Sequence, residues 1–218
     1  MDYMEFLRKS IEQNEKEVQG LLQRERQEKI AALSRGNGVP DRFRNSNFKN
    51  YNPIDNLAAL KETKKFVEDF PNSKSLLLTG PVGTGKTHLA CAIANELTKN
   101  LYSVYFGNVV DIISFIKSTY SKNAEISEYE AISLMTEKVD LFIIDDLGKE
   151  NSTPNTLALL YQMINRIYGN GKPLVITTNE NSIELARKLG DRGQATVSRI
   201  TQMCEPVIFK GEDWRLKK

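Results

Sequence analysis

Cysteine is scarce. Cys91 and Cys204 are the only two in 218 residues, they stand far apart, and no CxxC pair exists. Neither a zinc cluster nor a disulfide framework is encoded. Both read as small buried apolar side chains in a reducing cytoplasm. Long hydrophobic runs are missing as well. The longest are strand-sized, which excludes a membrane-spanning helix, and Met1-Asp2-Tyr3-Met4-Glu5 lacks the basic-then-apolar order of a secretory signal. An excess of either charge is also lacking: 30 Lys and Arg face 28 Asp and Glu, and the pI is about 8.4. Any nucleic-acid surface must therefore be local rather than global. No internal repeat and no low-complexity tract occurs. The rest is 27% charged with a mean hydropathy of −0.43, and its length suits one α/β domain plus a short extension.

The first stretch, to about Leu33, is rich in Glu, Gln, Lys and Arg and predicts a helix. Met4, Leu7, Ile11, Val18 and Leu21 recur every three to four residues, Asn14 interrupts the stripe, and it fades past Leu22. Such a stripe packs on its own domain or on a partner. Gly36-Asn37-Gly38-Val39-Pro40 breaks the pattern and predicts a linker, which sets off residues 1–38, a helical segment and linker that is the candidate partner-binding segment, from residues 39–218, the main domain. Within that domain, helical spacing runs from Ile54 to Phe70, where Pro71 stops it. Strands are predicted at Ser75–Thr79, Ser103–Phe106, Leu141–Asp145, Leu174–Thr177 and Pro206–Phe209. Helices are predicted at Thr87–Leu97, Val109–Tyr120, Ser127–Glu137, Thr153–Tyr168 and Ser182–Leu189. This alternation predicts an α/β fold, a parallel sheet with helices on both faces, whose ligand site lies at the carboxyl ends of the strands.

Chemistry enters at Gly80-Pro81-Val82-Gly83-Thr84-Gly85-Lys86-Thr87-His88. The first eight residues match the phosphate-binding P-loop pattern, and the match lies between a strand and a helix. Glycines let backbone N–H groups turn inward around a phosphate, and the helix N-terminus adds partial positive charge. Lys86 is placed to reach the β- and γ-phosphates of ATP, and the Thr87 hydroxyl to ligate Mg²⁺. The buried strand Leu141–Ile144 ends in Asp145-Asp146, on the same sheet edge. Asp145 is the candidate holder of magnesium, usually through water, and Asp146 the candidate general base for a lytic water. Leu174–Thr178 ends in Asn179, either a turn residue or a polar sensor of the γ-phosphate. A small-molecule kinase fits poorly, since no Arg-rich lid is apparent.

The order Gly80–Thr87, Asp145-Asp146, Asn179 resembles the AAA+ ATPases. Ile144-Asp145-Asp146-Leu147-Gly148-Lys149-Glu150 resembles the Walker B segment of the DnaC/DnaI helicase-loader and IstB-like group. The tail Val197-Ser198-Arg199-Ile200 with Gly211-Glu212-Asp213-Trp214-Arg215, and the lead-in Gly38-Val39-Pro40-Asp41-Arg42-Phe43-Arg44, are similar to that group too. The resemblance implies an ATP-hydrolysing, oligomeric AAA+ (ASCE-type) domain. Arg199 would then be an arginine finger acting on the next subunit, with Arg192 a competitor for the role. Arg215 becomes a nucleotide or interface contact. Between the second strand and the Walker B strand, the loader clade holds single-stranded DNA. Here that stretch offers Phe115, Lys117, Tyr120 and Lys122, as base-stacking and phosphate-following side chains, unless Phe115 and Tyr120 belong to the core. The implied function is ATP-dependent loading of a DnaB-type replicative helicase onto single-stranded DNA. A transposition helper of the IstB kind and a nucleotide-gated adaptor with little turnover are the alternatives.

Overall fold

The computed structural model describes residues 18, 19, 21, 22, 24, 25, 27–29, 32, 35–149 and 153–216. Five parallel strands form one sheet in the order β2-β3-β4-β1-β5. They are β1 Ser75–Thr79, β2 Val104–Asn108, β3 Leu141–Leu147, β4 Leu174–Thr178 and β5 Cys204–Ile208. Among the described residues, seven helices flank them: α1 Leu57–Asp69, α2 Lys86–Lys99, α3 Val109–Ser118, α4 Glu128–Thr136, α5 Pro154–Asn170, α6 Ser182–Lys188 and α7 Gly193–Met203. The period-two alternation of β3 divides the core. Leu141 and Ile143 face Leu89, Ile93 and Leu97 of α2 on one side. Phe142 and Ile144 face Ile112 of α3 and Leu160, Met163 and Ile164 of α5 on the other. Helices cover both faces, as the near-continuous apolar strands require. Among the described residues, no helix is long and apolar enough to cross a membrane.

Several boundaries differ from the sequence expectation, and one helix was not expected. Strand β3 runs past Asp145 to Leu147, carrying both acids inside the strand. Helix α3 stops at Ser118, and Tyr120 lies in the turn that follows. Helix α7 was not expected. It is launched by a 3₁₀ turn, Gly190–Arg192, that follows α6. Strand β5 begins at Cys204, two residues early. Pro206 is tolerated there because β5 is an edge strand, with pairing only to β1.

The expected linker is partly docked. Asn37 and Val39 are buried, the Phe106 N–H donates to Asn37 O at 2.7 Å, and Gly38 lies directly on the Phe106 backbone. Preceding this anchor, the described residues up to Gly36 are helical and exposed, Val18, Leu21 and Leu22 among them. Met4, Leu7, Ile11 and Asn14 of the predicted stripe lie outside the described residues.

Candidate nucleotide-binding site

Between the end of β1 and the start of α2, residues Gly80–Gly85 form the loop. Two of its glycines answer to identifiable constraints. Gly83 has φ +75° and Gly85 φ +94°, the region that penalises a Cβ. A Cβ on Gly83 would fall 1.8 Å from Asp213 Oδ1, and one on Gly85 2.5 Å from the Tyr51 ring. The C-terminal tail and the Asn37–Tyr51 strap thus close on the loop from two sides. Tyr51 adds a hydrogen bond from its hydroxyl to Thr84 O at 3.2 Å, and the Trp214 N–H donates to Gly83 O at 3.2 Å. The strap is held to α2 by Asn95, whose Nδ2 donates to Phe43 O and Ser46 O.

Lys86 is 5% exposed. Its ammonium donates to Gly80 O and Pro81 O, both at 2.7 Å, and the Thr84 hydroxyl donates to Pro81 O at 2.8 Å. Burial pulls the Lys86 pKa down to about 8, with Asp146 pushing the other way. A buried ammonium with only neutral carbonyls in contact is unstable relative to one facing an anion. At the N-terminus of α2, this donor set fits a bound phosphate.

The acids owe their placement to a β-bulge. Strand β3 pairs with β4 at Ile144↔Ile176 and next at Leu147↔Thr178, so Asp145 and Asp146 together oppose Thr177. Asp146 has φ +60°, a left-handed conformation uncommon outside glycine. The Thr177 hydroxyl donates to Asp145 Oδ1 at 2.6 Å and accepts the Asp146 N–H at 2.9 Å, so one side chain fixes both acids. The Thr87 hydroxyl also donates to Asp145, at 2.9 Å. Burial raises the Asp145 pKa, while the Thr177 and Thr87 hydrogen bonds lower it. Among the described residues no group of three or more His, Cys, Asp or Glu converges on an ion position. Magnesium suits such a sparse site, because it retains water and binds through one or two protein groups plus phosphate oxygens. Here those groups would be Thr87 and Asp145.

A cleft of about 200 Å³ opens in front of these groups. Val82, Gly83, Gly85, Lys86, Thr87 and His88 form its floor, and Asp146, Lys149 and Asn179 one wall. Arg42, Phe43 and Arg215 close the remainder. The residues on either side of Asn179 are tied down: Thr178 Oγ1 donates to Leu147 O at 2.7 Å, and Lys188 pairs with Glu180 at 2.6 Å while donating to Gly148 O at 3.1 Å. Arg215 forks onto Asp213 at 2.9 and 3.0 Å. Lys149 pairs with Asp146 at 2.7 Å. Sequence reasoning missed Arg42 and Phe43, Tyr51, Lys149, Thr177 and Asp213 as parts of this site. The lead-in motif around Arg42 was the available signal, and only folding shows that it returns to the P-loop.

Arg199 is not among the residues lining the cleft. Its Nη1 donates to Ala195 O at 3.1 Å, and its guanidinium lies over Tyr161, as does that of Arg192. The expected DNA-contacting residues are also separate from the cleft. On α3, Ile112, Ile113 and Ile116 are buried, whereas Phe115 and Tyr120 are 40% and 51% exposed, so neither aromatic belongs to the core. The Tyr120 hydroxyl donates to Glu128 at 2.5 Å, Lys117 donates to Thr156 at 3.1 Å, and Lys122 is exposed.

Comparison with known proteins places this geometry. The replicative helicase loader DnaC of Escherichia coli (strain K12) is 33% identical over 158 residues, 71% of this chain and 64% of DnaC. The DnaC of Buchnera aphidicola subsp. Baizongia pistaciae is 28% identical over 192 residues, 86% of this chain and 77% of the relative. The match thus spans just under two thirds of the E. coli loader. A crystal structure of the DnaC helicase loader superposes with a TM-score of 0.67 at 28% identity, covering 78% of this chain and all of that one. AMPPCP-bound DnaA from Aquifex aeolicus, at 22% identity and a TM-score of 0.66, covers 80% of this chain and 52% of DnaA, and shares the fold. This is the AAA+ P-loop fold. The model of the IstB-like ATP binding proteins matches residues 1–218, and the chain belongs to that family.

Proposed function

We propose that this chain is an ATP hydrolase that loads a ring-shaped, DnaB-type replicative helicase onto single-stranded DNA, acting in the cytoplasm as an ATP-dependent homo-oligomer. The observation that carries this reading is the cleft itself. Lys86, Thr87, the bulged Asp145-Asp146 pair and Asn179 occupy one sheet edge, in a chain 33% identical to DnaC over 158 residues. In this reading Gly80–His88 hold the triphosphate of ATP, with Lys86 at its β- and γ-phosphates. Thr87 and Asp145 hold Mg²⁺, which supplies charge neutralisation on the phosphate oxygens when bound. Asp146 accepts a proton from the attacking water, and Asn179 orients that water. Arg199, absent from its own cleft, serves the cleft of a neighbouring copy, where a guanidinium fork matches phosphoryl charge. Phe115, Lys117, Tyr120 and Lys122 contact single-stranded DNA, and the N-terminal segment captures the helicase.

A mixing experiment tests the core of this reading. Lys86→Ala protein and Arg199→Ala protein are each expected to be inactive, and together to recover turnover at hybrid interfaces. No recovery would count against the trans arginine. Pull-down with the host's replicative helicase tests the client. The family model's IstB-like description favours one second reading, a helper directed to a transposase. Capture of a transposase in place of the helicase would establish that reading instead.

A further inference from the structure

Spacing along the chain does not choose between Arg192 and Arg199 as the trans arginine, and folding places them together. Arg192 ends the 3₁₀ turn before α7, and Arg199 lies seven residues on. Seven residues are two helical turns, so the two side chains leave from one face. The guanidinium carbons of Arg192 and Arg199 lie over the ring of Tyr161, on α5, at 5.3 and 5.1 Å from its centroid. Among the described residues, the ion pairs of the molecule include neither arginine. Arg199 spends one N–H on Ala195 O, and a guanidinium carries five.

An arginine resting on a carboxylate would have to exchange one charged partner for another before meeting a phosphate. An arginine resting on an aromatic face keeps its full charge and most of its donors, and leaves a weak contact. The ring also restrains two long side chains that would otherwise sample many rotamers. We infer that Tyr161 is a positioning residue for the trans arginine, holding Arg192 and Arg199 side by side and free of carboxylates, ready for the triphosphate bound by a neighbouring copy. The inference rests on the trans-acting role proposed above. It makes the pair the functional unit, with each arginine contributing.

The test uses full-length proteins in mixtures that confine turnover to one hybrid interface. Lys86→Ala protein supplies the arginine side, and an Arg192→Ala/Arg199→Ala double variant supplies the intact cleft. Tyr161 is then changed on the Lys86→Ala protein only. Tyr161→Phe keeps the aromatic face and is expected to support undiminished kcat. Tyr161→Leu removes it and is expected to lower kcat about threefold, the ratio lost when one side-chain torsion is released to its three staggered wells, with the KM for ATP unchanged because the accepting cleft is untouched. Tyr161→Gln repeats the measurement should the Leu variant fail to fold, melting curves serving as the check. Equal kcat for Phe, Leu and Gln would overturn the positioning role while leaving the trans arginine intact. A KM change with constant kcat would overturn it as well. No turnover even with Tyr161 intact would sink the trans arginine, and this inference with it.

Discussion

Lys86 and Thr177 show how single side chains set the behaviour of the cleft. Burial depresses Lys86 to about 8, below its unfolded value, so the folded chain releases this proton first. The cost of burying the charge is present in full below pH 8 and disappears as pH rises through the window from about 8 to 10.5, where stability gains. Nucleotide binding runs the opposite way, because phosphate needs the charged ammonium. ATP affinity is therefore expected to fall about tenfold between pH 7 and pH 9, the ratio of protonated fractions for a group near 8. Calorimetric titration at several pH values would show it. A flat profile would mean that Lys86 does not meet the phosphates. Thr177 ties the acids together through one hydroxyl. Thr177→Val keeps the shape and removes both bonds, leaving the buried Asp145 carboxylate one donor short. A loss of about 1–3 kcal/mol follows from leaving buried groups unpaired, together with a lower kcat. Denaturant melts and turnover on the same protein would check it. Unchanged turnover would separate the bulge from catalysis.

Elements show what could be read from sequence and what could not. The loop, the two acids and Asn179 were legible because each closes a buried apolar strand, and strands of one parallel sheet end on one edge. Their detailed setting was hidden. The bulge at Asp145-Asp146 depends on register against β4, and register is a tertiary property. Helix α7 was masked by Gly190 and Gly193, which read as turn formers. A Cβ on Gly193 would fall 1.9 Å from Ala186 O, so close packing against α6 explains that glycine. The course of the Asn37–Tyr51 strap was hidden too, since its residues carry no periodicity and the Gly38–Arg44 lead-in does not say where the segment returns. Yet it brings Arg42 and Phe43 into the cleft and seats Tyr51 against Gly85. Asn95→Ala tests the strap as an element, because Asn95 Nδ2 holds both Phe43 O and Ser46 O. Losing two bonds at about 1 kcal/mol each is expected to lower stability and to weaken nucleotide binding about three- to tenfold. Lower stability with unchanged affinity, read by fluorescent-nucleotide titration, would show that the strap supports the fold without shaping the site.

At the scale of the whole molecule, the question is where the AAA+ core begins. Sequence placed a linker at Gly36–Pro40 and the start of the main domain at residue 39. The structure anchors the chain earlier. Asn37 O accepts the Phe106 N–H on the edge strand β2, Gly38 lies against the same backbone, and Val39 joins the core. Two truncations therefore separate partner recognition from folding. A protein starting at residue 36 keeps the anchor, so it should melt like the full chain and bind ATP normally. If the proposed N-terminal partner role holds, it should also lose helicase capture. A protein starting at residue 41 loses the burial of Val39, worth about 1.5–3 kcal/mol, and the cap on β2. For a chain of this size each kcal/mol shifts Tm by about 2–4 °C, so this second protein should melt some 3–12 °C lower. Equal melting of the two would mean that the contacts of Asn37–Val39 add nothing to the core. Retained capture by the first would move the helicase site from the N-terminal segment onto the AAA+ domain itself.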